Sequence, residues 1–338
     1  MALLLLSGCL LLSGPGEIFS GLASWLSSPA ARRAPLGSNY DTAGSCEPTS
    51  IARPPADVRT ALVFSGGGAK GAWEAGVAAE VVARGVPVTL AAGTSAGALN
   101  ATLVAAGQPE LLEELWRGLS REQVFFLRPS IFFAGLLPGW LTLWRVNHAG
   151  SLFDSSPLRA LIESRLDLER VRRSPIRLLV VAADLERRSK RLFDNSSVSV
   201  DALMASVAVP GAFPPVTVEG RLLFDGGLTG RAPVLDALES GLPVDRALVI
   251  MSYATGEEGA PPTTIRRAVE EAFEMGMTYQ IRRDVELARL KYPGVEIQLL
   301  TPSAPLLLRP LEFEPHALAE ALERGRADAL ACLARLGY

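Results

Sequence analysis

Two apolar runs, each followed by a glycine-containing turn and a helical pattern, constrain the fold of this chain most strongly. The first run, TALVF at 60–64, leads through SGGGAK to a helical apolar period at 71–84. The second, VPVTLAAG at 86–93, leads through a serine-containing turn to a helical pattern at 96–107. Buried strands that alternate with helices are typical of parallel sheets. We therefore predict an α/β fold with a mostly parallel central sheet sandwiched by helices.

The alternation of strands and helices continues along the chain. We predict further strands at 176–183, 191–194, 215–224 and 246–252, and further helices at 155–168, 198–208, 232–240, 263–291 and 315–335. Residues 60–240 form the domain that carries the motifs described below. Residues 241–338 are expected to continue the same α/β domain.

Composition and charge exclude several classes of protein. Hydrophobic residues make up 49% and charged residues 20% of the 338 residues, which is typical of a globular chain with a core. The net charge of −3 argues against nucleic acid as a partner. Cys9, Cys46 and Cys332 have no metal-ligand spacing and predict no disulfide framework, and Cys332 is expected to be an ordinary core residue. With His148 and His316 far apart, we expect neither a metal nor a cofactor.

The first 26 residues are interpreted as a targeting segment. Leu-Ser-Gly-Cys, ending at Cys9, resembles the lipobox of bacterial lipoproteins, in which the cysteine is lipidated. No Lys or Arg precedes the apolar run and the run is short, so an uncleaved apolar anchor is the alternative. The resemblance implies a membrane-anchored lipoprotein of the bacterial cell envelope, with a cytoplasmic or secreted protein as the alternative. Residues 27–59, rich in Ser, Pro, Gly and Ala, are typical of a flexible linker.

A G-x-S-x-G pattern, from Gly93 to Gly97, lies between the second predicted strand and its helix. This context is that of a nucleophile elbow, in which a sharp turn exposes the serine hydroxyl and the flanking glycines avoid a clash. Ser95 also begins a helix, whose partial positive charge favours a developing anion. We therefore predict Ser95 as a catalytic nucleophile.

The glycine run after the first strand is the predicted source of oxyanion donors. An attacking serine creates an oxyanion, and Gly66, Gly67 and Gly68 present backbone N–H groups with no side chains in the way. Because parallel strands end at one edge of a sheet, this loop and the elbow are expected to meet. A phosphate cradle is the alternative, although the acidic residue of a dinucleotide site is poorly placed here.

Asp225 is the candidate base for the serine. It stands at the end of a predicted strand, and Gly226 and Gly227 directly after it allow a close approach to another backbone. A turn aspartate without a chemical role is the alternative interpretation.

Together these motifs resemble the patatin-like phospholipases. Three stretches match that family in order: GGGAKG at 66–71, GTSAG at 93–97 and DGG at 225–227. The stretch ASVAVPGAFPPV at 205–216 is similar to the family's sequence ahead of its aspartate. The resemblance covers about residues 60–235.

The resemblance implies a function and roles for individual residues. Ser95 would be the nucleophile and Asp225 the base of a Ser-Asp dyad, with the Gly66–Gly68 amides as the oxyanion hole. Lys70, followed by Gly71, stands where the family has Arg or Lys and is a candidate anion contact. The implied activity is that of a lipid acyl hydrolase of the phospholipase A or lysophospholipase type, with a lipid or phospholipid substrate and a membrane surface as partners.

Two other functions are kept as alternatives. An α/β-hydrolase-type esterase would use a Ser95-Asp225-His316 triad, because these residues follow the order of that fold. Against it, the elbow follows only the second strand, and His316 begins a helical pattern. A non-catalytic lipid-binding protein is the second alternative, although all the motif residues are intact.

The segment at 124–150 does not fit the strand and helix pattern. It is dense in Phe, Leu and Trp, including Trp140 and Trp144, and is interrupted by Pro129 and Pro138. It is either a helical insertion packed on the core or an apolar cap beside the active site that contacts acyl chains or a membrane surface.

Overall fold

One mixed β-sheet forms the centre of the fold. The computed structural model describes residues 46–134, 139–254 and 261–338, and its main sheet has eight strands. Two further short strands, β3 and β4, pair with each other. The strands are β1 (Thr60–Phe64), β2 (Val88–Thr94), β3 (Phe126–Leu127), β4 (Phe153–Asp154), β5 (Arg177–Asp184), β6 (Ser189–Asp194), β7 (Val216–Val218), β8 (Arg221–Asp225), β9 (Arg246–Ile250) and β10 (Glu296–Leu300).

The strand order of the main sheet is β10-β9-β1-β2-β5-β8-β7, with β6 also paired to β5. The strands from β10 to β5 in this order run parallel. In contrast, β6 and β8 are antiparallel to β5, and β7 is antiparallel to β8. The prediction of a mostly parallel sheet is therefore confirmed. Because parallel strands end at one edge, the loops after β1, β2 and β9 meet there.

Helices cover both faces of this sheet. They are α1 (Gly71–Ala83), α2 (Ala96–Ala105), α3 (Pro109–Gly118), α4 (Arg121–Val124), α5 (Pro129–Ala134), α6 (Gly139–Asn147), α7 (Ser156–Arg165), α8 (Leu168–Arg172), α9 (Val200–Ser206), α10 (Val234–Glu239), α11 (Ile265–Lys291) and α12 (Pro315–Leu336). Along β1, Leu62 and Phe64 belong to one buried cluster and Ala61 and Val63 to another, because side chains alternate along a strand. Helices α1, α2, α3 and α12 contribute to the first cluster, and α10 and α11 to the second.

Some elements differ from the sequence-based prediction. The single strand predicted at 215–224 is a hairpin of β7 and β8, whose turn residues Glu219 and Gly220 have φ values of 51° and 74°. Two consecutive residues with positive φ are the geometry of a tight hairpin turn. Helix α3 and strand β10 were not predicted at all.

A disulfide joins the beginning of the described chain to its last helix. Cys46 and Cys332 are both buried and bonded to each other, with 5.0 Å between their Cα atoms. The prediction that Cys332 is an ordinary core residue, in a chain without disulfides, is therefore wrong. The pairing links residues 286 positions apart, so no local pattern indicated it.

The residues after Cys46 lie against the domain rather than away from it. The Glu47 N–H donates to Gln298 at 3.0 Å, and the Ser50 N–H donates to Glu296 at 2.7 Å. Part of the predicted linker at 27–59 is thus attached to strand β10. Residues 27–45 of the linker and the targeting segment with Cys9 lie outside the described residues.

The segment at 124–150 has a buried base and an exposed outer part. The Phe125 ring packs in the core against Phe153 and Phe213. By contrast, Trp140 and Trp144 on α6 are 71% and 53% exposed. Over the described parts of the chain, no helix is long and apolar enough to span a membrane.

Candidate active site

Ser95 occupies a strained turn between β2 and α2. Its φ of 57° and ψ of −130° lie outside the regions that a serine normally adopts, and such strain is concentrated at functional sites. A Cβ on Gly93 would lie 2.1 Å from the Gly97 carbonyl oxygen, so glycine is required for the turn to close. The Ser95 N–H donates to Ser206 Oγ at 3.0 Å. Ser206 belongs to the stretch at 205–216, which therefore helps to hold the turn.

The glycine loop after β1 leaves two of its amides free. The Gly66 N–H donates to the Arg231 carbonyl oxygen at 3.1 Å and is already used. Within the described residues, the N–H groups of Gly67 and Gly68 have no acceptor. Gly68 has a φ of 57°, and a Cβ there would lie 2.0 Å from the Pro310 carbonyl oxygen. The loop therefore needs glycine for its shape, and it offers Gly67 and Gly68 as donors.

Asp225 lies buried at the end of β8. Its Oδ1 accepts a hydrogen bond from the Gly227 N–H at 2.7 Å, and its Oδ2 is buried without a hydrogen-bond partner in the described residues. A Cβ on Gly226 would lie 2.2 Å from the Val181 carbonyl oxygen, so this glycine allows β8 to approach β5. The Thr94 hydroxyl donates to the Gly230 carbonyl at 2.8 Å and ties the serine turn to the loop after Asp225.

Burial raises the pKa of the Asp225 carboxyl above its ordinary value. The Arg231 charge, the Gly227 amide and the Ser95 hydroxyl each lower the pKa, but they do not outweigh burial. Among the residues that the structure describes, no hydrogen bond of good geometry reaches Oδ2, although catalytic hydrogen bonds are often long before substrate binds. Asp225 is therefore a stronger base than an exposed aspartate. The Ser95 hydroxyl is close enough to affect the pKa of its carboxyl.

Sequence reasoning missed two buried ionisable residues beside this site. Arg231 is 6% exposed, and its Nη2 donates to the Tyr253 hydroxyl at 2.9 Å. Glu74 on α1 is fully buried, and its carboxylate accepts from the Ser65 hydroxyl at 2.6 Å. Burial raises the pKa of Glu74 to about 8. In the sequence, each of these two residues is only a charged position within an apolar stretch. Such a pattern does not show which side chains pack against that position in the fold.

Lys70 is paired rather than free. Its Nζ lies 3.1 Å from Glu274 Oε2 of α11 and 4.2 Å from the centre of the Tyr253 ring. Gly71, the next residue, begins α1 where a Cβ would be 2.9 Å from Ala96 Cβ. The motif therefore packs α1 against the helix that follows Ser95, and it places a lysine charge at the same edge of the sheet.

A cavity of about 1660 Å³ opens onto Ser95. Gly68, Lys70 and Arg231 line it beside the serine. Most of its remaining wall is apolar. Helices α2, α3, α7 and α11 and the loops around Phe125, Phe213 and Leu308 supply it, with Leu99, Leu103, Trp116, Leu158, Ile162 and Phe273 on the helices. The volume and lining suit a long apolar ligand whose polar end lies at Ser95.

Neither histidine lies at this site. His316 is exposed on the first turn of α12 and is not among the residues that line the cavity. His148 is also exposed, and its Nδ1 lies 2.7 Å from the Trp144 carbonyl oxygen. Neither of the two histidines therefore lines the cavity beside Ser95.

Comparison with known proteins agrees with this geometry. The family model described as patatin-like phospholipase matches residues 62–238, a range that includes the glycine loop, Ser95 and Asp225. The chain belongs to the patatin-like phospholipase family.

Individual relatives of this patatin-like chain share moderate identity with it. An uncharacterized NTE family protein of Mycobacterium tuberculosis, Rv1063c, is 29% identical over 204 residues, which cover 60% of this chain and 51% of the relative. The uncharacterized protein YjjU of Escherichia coli is 29% identical over 225 residues, covering 63% and 58%. Among solved structures, VipD from Legionella pneumophila has a TM-score of 0.46 at 16% identity, covering 86% of this chain and 70% of VipD. The chain spans about half the length of Rv1063c.

Proposed function

We propose that this protein hydrolyses carboxylic esters of lipids, as a phospholipase A or lysophospholipase, through a Ser95–Asp225 dyad. The observation that carries the proposal is a strained serine on the wall of a large apolar cavity, with a buried aspartate of raised pKa beside it. The exposed position of His316 argues against the alternative triad.

In the proposed reaction, Asp225 takes the proton of Ser95 as the serine attacks the ester. Ser95 Oγ bonds to the carbonyl carbon, and the carbonyl electron pair moves onto its oxygen. Collapse of this oxyanion expels the alcohol, which takes the proton from Asp225 and leaves an acyl group on Ser95. Water then gives a proton to Asp225 and adds to the acyl carbon. The serine oxygen leaves with that proton, and the fatty acid is released.

The oxyanion of this reaction would be bound by the Gly67 and Gly68 amides. These two N–H groups have no acceptor within the described residues, whereas the Gly66 N–H is used by the Arg231 carbonyl. Preorganised donors of this kind are worth about 2.7–4 kcal/mol each in related chemistry. We therefore narrow the predicted oxyanion hole from three glycines to two.

The experiment that tests the function combines labelling with a substrate panel. Fluorophosphonate should label Ser95, as mapped by peptide mass spectrometry, and hydrolysis should be measured on phospholipids, lysophospholipids and neutral glycerides. Absence of labelling in the folded protein would favour a non-catalytic lipid-binding protein. Labelling with hydrolysis of short soluble esters alone would favour a general esterase.

We predict that Lys70→Ala lowers kcat/KM for a phospholipid about tenfold more than for a neutral short-chain ester. A charged hydrogen bond to a phosphate is worth about 1.5–3 kcal/mol, and only the phospholipid carries that group. The matched variant is Glu274→Gln, which releases Lys70 from its ion pair and should not lower phospholipid hydrolysis selectively. Equal losses on both substrates in Lys70→Ala would assign Lys70 a purely structural role.

We also propose that a membrane surface delivers the substrate. Several large apolar residues both line the cavity and are exposed, namely Val269, Phe273, Met275, Tyr279, Leu307 and Leu311. An apolar rim at the mouth of a cavity is typical of a lipid-contacting surface. The disulfide is consistent with the oxidising cell envelope, where the lipobox at Cys9 would anchor the protein.

Replacing Trp140 and Trp144 together by alanine is expected to weaken liposome binding about tenfold or more. Both side chains are exposed, and each would lose the burial of a large aromatic side chain in the interface. Co-sedimentation should use the full chain carrying Cys9→Ser, so that no lipid anchor obscures the effect. Leu192→Ala with Leu290→Ala is the control, because these exposed apolar residues lie on β6 and α11, outside the segment at 124–150. Unchanged binding in the tryptophan variant would leave the segment as an insertion on the core.

The anchor itself is tested by Cys9→Ser alone. This variant should move the protein from the membrane to the soluble fraction while hydrolysis of a soluble ester is unchanged, because a lipidated cysteine holds the chain through buried CH₂ groups. A variant that stays in the membrane pellet would contradict the lipoprotein proposal.

A further inference from the structure

The Arg231 guanidinium lies near both proposed catalytic residues. The position of a Cβ on Gly66 is 3.0 Å from Ser95 Cβ and 3.4 Å from Arg231 Cζ. The position of a Cβ on Gly227 is 3.0 Å from Asp225 Oδ1 and 3.0 Å from Arg231 Nη1. The guanidinium therefore borders the space that these two glycines leave open, close to Ser95 at the first and close to Asp225 at the second.

This buried cation has few hydrogen bonds. Its Nη2 donates to the Tyr253 hydroxyl, and its Nε is buried without an acceptor in the described residues. Among the described residues, no carboxylate forms a salt bridge with Arg231. Burying a charge is costly unless another charge compensates it, so a specific reason is needed for an arginine here.

The groups that face Arg231 come from several elements. Asp225 follows β8, Glu74 lies on α1, and the rings of Tyr253 and Phe273 lie 5.9 Å from its Cζ. Lys70, across the Tyr253 ring, is already neutralised by Glu274. Because the pKa of Glu74 is raised to about 8, that carboxyl is mostly protonated at neutral pH. Burial raises the pKa of Asp225, and the charge of Arg231 opposes that rise.

We propose that Arg231 is the counter-ion of the Ser95–Asp225 pair, a positioning residue that keeps Asp225 ionised before attack and faces the oxyanion after it. This inference rests on the function proposed above. When Asp225 takes the serine proton, its negative charge disappears and a negative charge forms on the substrate carbonyl oxygen. The charge of Arg231 does not change during the proton transfer. The cation therefore has an anionic partner before the transfer, which is Asp225, and another after it, which is the oxyanion. No solvent needs to reorganise, because the guanidinium is already in place.

Removing the charge of Arg231 should make Asp225 harder to ionise. An opposite charge within about 4–6 Å lowers a carboxyl pKa by about 1–3 units, so Arg231→Gln should raise the titration midpoint of Asp225 by about that amount. Carboxyl-¹³C-aspartate NMR measures this midpoint without turnover, and Asp225→Asn assigns the signal. Ionised Asp225 is the active base, so activity falls as pH drops through its pKa. The acid limb of kcat/KM should therefore move to higher pH.

Two variants separate charge from structure. Arg231→Lys keeps the cation and should restore most of the wild-type midpoint, whereas Tyr253→Phe removes only a hydrogen-bond acceptor and should shift it little. If Arg231→Gln does not fold, the double variant with Asp225→Asn is expected to fold, because neither charge is then left unpaired. An unchanged Asp225 midpoint in Arg231→Gln, or a double variant that also fails to fold, would overturn the inference.

The same measurements distinguish a failure of this inference from a failure of the proposed hydrolase function on which it rests. Fluorophosphonate labelling of Ser95 in the wild-type protein tests the hydrolase, and the NMR titration tests the counter-ion. A shifted titration without labelling would keep the charge pairing and reject the hydrolase. Labelling with an unshifted titration would do the reverse.

Discussion

Replacing Ser95 by alanine is expected to lower kcat/KM for a soluble ester by about 10³-fold or more. The proposed mechanism then has no nucleophile, and the free Gly67 and Gly68 amides supply only the residual catalysis of an oxyanion hole. Asp225→Asn should cause a loss of similar size, because an amide cannot accept the serine proton. Steady-state hydrolysis of the soluble ester measures both effects, and thermal unfolding shows whether each variant is folded.

His316→Ala is the matched control for the dyad. His316 is exposed at the start of α12 and does not line the cavity, so most activity should remain. A loss as large as that of Asp225→Asn would instead support the Ser95-Asp225-His316 triad.

Loss of the Cys46–Cys332 disulfide is expected to lower the free energy of unfolding by about 2–5 kcal/mol. The bond closes a loop of 286 residues in sequence, and cross-links over long loops restrict the unfolded chain most. It also attaches the residues before β1 to the last helix. Urea unfolding of Cys46→Ala with Cys332→Ala, compared with the wild-type protein, measures the difference.

Reduction provides the control for this prediction. Dithiothreitol should destabilise the wild-type protein by a similar amount and leave the double alanine variant unaffected, and Cys9→Ser should retain the full effect of reduction. Two reactive thiols at Cys46 and Cys332 in unfolded, unreduced wild-type protein would contradict the disulfide.

The local motifs could be interpreted from sequence because their geometry depends on neighbouring residues. Gly93 and Gly97 are needed where the backbone turns sharply around Ser95, and this requirement lies within five consecutive residues. The hairpin of β7 and β8, by contrast, was predicted as a single strand. Its turn at Glu219 and Gly220 interrupts a run that has the apolar content of a single strand.

The charged surroundings of the site could not be predicted in this way. Nothing in the sequence around Glu74 shows that this helical position is buried. Lys70 forms an ion pair with Glu274, which is more than half the chain length away in sequence. The Gly66 N–H likewise donates to the carbonyl of Arg231, a partner that the sequence does not indicate. Such partners depend on which strands become neighbours in the sheet.

The sequence by itself determined the α/β class and the strand–turn–helix unit around Ser95, and its glycine, serine and aspartate motifs carry the pattern of the family. These follow from apolar period and from glycine at positions where a side chain would clash, both of which are local properties of the chain. Only the tertiary structure decided that Cys46 bonds to Cys332, that Lys70 pairs with Glu274, and that Arg231 lies buried near Ser95 and Asp225. Burial and electrostatic pairing depend on contacts between residues distant in sequence, so they exist only once the sheet has assembled.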